Sequence, residues 1–74
     1  MTVHEIRVLA GVEENPHLEN FKKPLEEVGV TYHLFDSPPD RAPLAYLFNG
    51  NPKPEEVVGL ANIEKAIENV LNNP

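Results

Sequence analysis

The stretch Ala42–Gly50, A-P-L-A-Y-L-F-N-G, decides the fold. An apolar run from Leu44 to Phe48 sits between a proline and an Asn49-Gly50 dipeptide. A short apolar run bounded by turn residues reads as a strand, and Asn-Gly reverses a chain readily because both residues tolerate positive φ. Downstream the chain resumes as E-E-V-V-G, a second β-branched run that ends at Gly59. The spacing predicts a β-hairpin. Its second strand is expected to be a short edge, because N-P-K-P between Gly50 and Glu55 is stiff and lacks two amide donors. The segment N-I-E-K-A-I-E-N-V-L then predicts a helix. Asn62 serves as its N-cap, and Ile63, Ala66, Ile67, Val70 and Leu71 fall on one face.

Working back toward the N-terminus, I-R-V-L-A (Ile6 to Ala10) is short, apolar and β-branched and stops at Gly11, as a buried strand does. After the loop G-V-E-E, Asn15-Pro16 predicts a helix start, with Asn15 as N-cap and Pro16 at the first helical position. Leu18, Phe21, Leu25 and Val28 share one face of this helix, Pro24 predicts a kink near its middle, and Gly29 ends it. Thr31 to Phe35, T-Y-H-L-F, is the next strand. Strand–helix–strand implies a right-handed crossover with parallel pairing. D-S-P-P-D-R then leads, as loop, into Pro43.

The order β-α-β-β-β-α defines an α/β class (α+β by some schemes). It implies a four-stranded mixed sheet, with the first strand central and two helices on one face. Alternation predicts that Ile6, Val8, Ala10, Tyr32, Leu34, Leu44, Tyr46 and Phe48 face the helices. Arg7, Leu9, Thr31, His33, Phe35, Ala45 and Leu47 would then make a second face of mixed polarity.

Seventy-four residues make a single domain, 1–74, near the lower limit for folding without staples. The sequence has no cysteine, so disulfides, thiolate zinc sites and thiol redox chemistry are excluded. The net charge of −6 and the scattered Lys and Arg argue against nucleic acid as a partner. No run suits a membrane span and M-T-V-H-E-I lacks a basic signal-type start, so a cytoplasmic location is expected.

The order and its punctuation resemble the thioredoxin-like fold in its minimal glutaredoxin form. The resemblance rests on I-R-V-L-A-G, N-P-H-L opening the first helix, A-P before L-A-Y-L-F-N-G, and V-V-G before the last helix. It places Asn15 and Leu18 at the two cysteine positions of the family's C-x-x-C motif, and it implies a cis bond between Ala42 and Pro43. Aligning Pro24 with the family's kink proline instead shifts the motif to Pro16-His17-Leu18-Glu19; the N-cap logic favours Asn15. The helix that the family carries between its second and third strands has no room here, which leaves one sheet face thinly covered. Without the cysteines no thiol–disulfide oxidoreductase is expected.

The resemblance therefore implies a redox-inactive binding module without a cofactor. Its binding groove would be lined by Asn15, Pro16, His17, Leu18, Ala42 and Pro43 and would take a protein or extended peptide. Such a module fits an accessory protein, cellular or phage-encoded, that acts on host machinery. One alternative is a glutathione- or small-thiol-binding protein, with Ala61 and Asn62 at a helix N-terminus as its anion site. The other is a structural subunit that forms a homodimer through the open sheet face. His4, His17 and His33 lack metal-ligand spacing, so no metal site is expected, and Ser37 in D-S-P-P reads as a turn residue rather than a nucleophile.

Overall fold

The structure is a computed structural model that describes residues 2–38 and 40–72; Pro39 of the predicted loop lies outside the described residues, as do both chain ends. Strands β1 (Glu5–Ala10), β2 (Thr31–Asp36), β3 (Leu44–Phe48) and β4 (Glu55–Val58) form one mixed sheet in the order β2-β1-β3-β4. The central strand β1 pairs in parallel with β2 and antiparallel with β3, and β3 pairs antiparallel with β4. The expected architecture is present: an α+β chain with a central first strand, a parallel pair and a hairpin.

The first helical region is broken. Helix α1 (Asn15–Leu18) passes into a 3-10 turn, Glu19–Phe21, and then into α2 (Lys22–Glu27). Proline explains the break. Its ring crowds the carbonyl four residues back, here Asn20, and its nitrogen cannot donate to it, so the distortion falls one turn before Pro24. Glu14, not Asn15, is the residue before the first turn. Its carboxylate accepts the Gly11 N–H at 3.0 Å, while its own N–H and that of Asn15 donate to the Gly11 carbonyl. The loop after β1 is thus tied to itself before the helix begins.

Helix α2 ends in a left-handed turn at Gly29, with φ of +83°. Val30 N–H donates to the Leu25 carbonyl at 2.9 Å and Gly29 N–H to Glu26 at 3.0 Å, the paired bonds of a Schellman end. This turn corrects one expectation. Val28 sits at the helix cap and is exposed, whereas Val30 folds back and is buried beside Leu25.

Helix α3 (Leu60–Asn72) begins two residues before its expected cap. Gly59, at φ +97°, accepts the Ile63 N–H through its carbonyl, and Asn62 lies inside the first turn with its amide donating to the Val58 carbonyl. Ile63 and Ile67 are fully buried, and Leu60, Ala66, Val70 and Leu71 pack around them.

A single apolar cluster joins the helices to one sheet face through Ile6, Val8, Ala10, Tyr32, Ala45 and Leu47. The expected phase of β3 is inverted. Ile6 lies opposite Leu47 and Val8 opposite Ala45, so Ala45 and Leu47 point into the core and Leu44, Tyr46 and Phe48 point away from it. Hydrophobicity could not set this phase, because both faces of L-A-Y-L-F are apolar; the pairing register with β1 sets it.

The Ala42–Pro43 bond is trans, which corrects the expected cis bond. The chain direction into β3 is held by other contacts. Arg41 N–H donates to the Pro38 carbonyl, and Gly59 N–H donates to the Pro43 carbonyl at 2.9 Å, fastening Pro43 to the start of α3.

Candidate interaction surface on the open sheet face

With both helical regions on one side, the other sheet face carries no layer among the described residues, and its residues form transverse rows set by register. Across the middle, His33, Arg7, Tyr46 and Glu56 lie side by side on β2, β1, β3 and β4. Toward the C-terminal ends of β1 and β2, the next row is Phe35, Leu9, Leu44 and Val58. This second row is wholly apolar, with Phe35 47% and Val58 51% exposed. Such contiguous exposed apolar surface, unlike single scattered residues, marks interaction sites.

A shallow depression of ≈ 360 Å³ lies on this face, lined by Arg7, Leu9, Phe35, Tyr46, Phe48 and Pro54. Its floor is ordered by charge. Arg7 Nε donates to Glu5 Oε2 at 2.7 Å, and its guanidinium lies 4.9 Å from the Phe48 ring centroid. At an exposed site a cation–π contact of this kind contributes roughly 0.5–1 kcal/mol. His33 Nε2 sits 3.7 Å from the same carboxylate, and its ring lies beside Phe35. The hydrogen bond from Arg7 holds the Glu5 carboxyl below the usual carboxylate range. Arg7 is thereby held between the Glu5 carboxylate and the Phe48 ring, with about half of its side chain exposed.

Where the first helix follows β1, the expected groove is differently built. Leu18 is fully buried in the core and presents nothing to a ligand. Asn15 Nδ2 donates to Asp36 Oδ1 at 2.6 Å, and His17 Nε2 lies 3.0 Å from Glu64 Oε2 of α3. Pro16 and Ala42 are exposed, and the Pro43 carbonyl is taken by Gly59. Main-chain strand addition at Pro43 also lacks an edge, since β3 lies between β1 and β4. The polar groups expected to line a groove therefore tie the first helix to β2 and to α3. Among the described residues, two buried oxygens there, Asn15 Oδ1 and Ser37 Oγ, have no hydrogen-bond partner.

Ala61 and Asn62, expected at an anion site, are exposed in the first turn of α3, where the Asn62 amide is already engaged with Val58. Among the described residues, no group of three or more His, Cys, Asp or Glu is placed to hold a metal ion, and no helix is long and apolar enough to cross a membrane.

The open face is only partly legible in the sequence. Arg7, Leu9, His33 and Phe35 fall on it as alternation predicts, but alternation places Tyr46, Phe48 and Leu44 on the helix face, opposite to where the pairing puts them. The signal that locates them is the size of Ala45: a small residue flanked by large apolar ones suits the position where a helix packs closest.

Fold and surface together define a small α+β protein with a helix-covered face and an open, aromatic-bearing one. No protein-family model matches the chain, and neither a curated protein nor a solved structure is significantly similar to it.

Proposed function

We propose that the chain is a non-catalytic thioredoxin-like module that docks a protein through the open face of its sheet. The observation that carries this reading is the uncovered row Phe35–Leu9–Leu44–Val58, continuous with the depression around Arg7 and Phe48. The parallel β1–β2 pair, the hairpin and the closing helix support the thioredoxin-like assignment. A sequence without cysteine supports a role in binding rather than disulfide exchange. The helix-start groove is the weaker docking surface, because Asn15, His17 and Pro43 are engaged within the chain and Leu18 is core.

The test is site-specific photo-cross-linking. A photoreactive residue at position 35 should capture a protein, and one at position 17 should not. Capture only from position 17 would return the site to the helix start and overturn the reading.

A further inference from the structure

We propose that the open face takes a second copy of this chain, packed sheet on sheet about a two-fold axis that runs along the strands between β1 and β3. The inference rests on the open face being the interaction surface. Its argument is self-complementarity. A two-fold axis lying in the interface parallel to the strands reverses the strand order β2-β1-β3-β4 while keeping each transverse row against itself. β2 then lies over β4 of the second copy, and β1 over its β3.

The register supplies the pairs. In the middle row, His33 faces Glu56 of the second copy and Arg7 faces its Tyr46. In the apolar row, Phe35 faces Val58 and Leu9 faces Leu44. One rotation therefore sets imidazole against carboxylate, cation against aromatic ring, and apolar against apolar, each contact made twice, while in the remaining row Glu5 lies over Phe48 with its carboxylate still held by Arg7. No like charges meet. The basic groups of this row lie on β1 and β2 and its carboxylate on β4, so only an operation that exchanges the two sides brings them together. The other in-plane two-fold axis, across the strands, would set Arg7 over Arg7 and Glu56 over Glu56 of the second copy, like charge against like charge. Strand axes aligned across the interface suit the aligned class of sheet packing, in which twist leaves roughly 30° between the sheets.

Size fixes the strength class. Four strands spaced by about 4.8 Å and about five residues long cover roughly 300 Å² in plan. That is small beside the roughly 800 Å² per partner of a standard-size interface, so the dimer is weak and exchanges with monomer.

Sedimentation equilibrium across about 10 μM to about 1 mM tests this, the range in which a sub-standard interface saturates. The expected result is a mass that rises from monomer toward dimer. Glu56→Lys should raise the dimer dissociation constant by about tenfold or more, since the carboxylate that accepts from His33 across the interface is replaced by a cation. His33→Glu combined with Glu56→Lys should restore it. Persistent monomer at the highest concentration overturns the second copy, and so does a dimer indifferent to Glu56→Lys and to Leu9→Glu. The underlying reading is judged separately by an environment-sensitive apolar dye on the monomer, with folding checked by circular dichroism. Dye binding lost in Leu9→Glu would retain the face as a docking surface for a different protein. Monomer without dye binding would overturn both.

Discussion

Tyr32 ties β2 to the first helix: its hydroxyl donates to the Leu18 carbonyl at 2.9 Å while its ring is buried in the core. Burial pushes the phenol far above its ordinary range. The unfolded chain releases this proton near pH ~10, and the folded chain does not. Above that pH the folded state binds more protons, so stability falls as pH rises; below it, the contribution is complete. In a Tyr46→Phe background, phenolate absorbance should therefore appear in the same alkaline step as loss of the circular dichroism signal. Tyr32→Phe should cost about 1–3 kcal/mol in denaturant unfolding, because the buried Leu18 carbonyl loses its partner. Glu5 runs the other way. Its depressed carboxyl stabilises the fold above the unfolded value, and that contribution is lost as pH falls through the folded one. Alternation in the sequence makes the inward position of Tyr32 legible. Its bond to Leu18 is not, because that depends on where the broken helix crosses β2.

The broken first helix and the phase of β3 show how far single elements can be read. Gly29 is legible as a helix end, and the Schellman bonds give it a reason: φ of +83° suits glycine alone. Gly29→Ala should cost about 1 kcal/mol by thermal or denaturant melting, through strain in the left-handed conformation rather than a clash, since open space surrounds the position. In β3, periodicity identifies the strand but two apolar faces leave its phase open, and placing the largest residues inward gives the wrong answer. Paired substitutions check the observed phase. Ala45→Lys buries a charge among Val8, Val57 and the α3 isoleucines and should unfold the domain. Leu44→Lys, on the open face, should cost roughly 0.5–1 kcal/mol. Equal effects of the two would mean that the register is wrong. The expected cis bond fails at the same scale. It came from resemblance at one dipeptide, and here the Pro38–Arg41 turn and the Gly59–Pro43 bond hold the chain direction with a trans peptide.

For the whole molecule, element order and sheet topology were legible because each strand and helix carries its own boundary residues. The site was legible only in part, because it depends on which side chains share a face, a property of pairing rather than of any one segment. The molecule measures 33 × 26 × 17 Å, and its short dimension matches one sheet with a single layer of helices. With no cysteine anywhere in the sequence, insulin reduction and glutathione-dependent disulfide assays should run at the buffer rate. Turnover that survives repurification would reveal a different nucleophile.

The central place of β1 also bears on how the chain is made. The strand at the middle of the sheet is the first to be translated, and both of its neighbours, β2 and β3, are encoded after it. At about 5–20 residues per second, I-R-V-L-A waits seconds for residues 31–36 to complete one side and residues 44–48 the other. Throughout that interval an apolar strand is made with both of its edges unpaired, and sits where cotranslational aggregation or chaperone capture should begin.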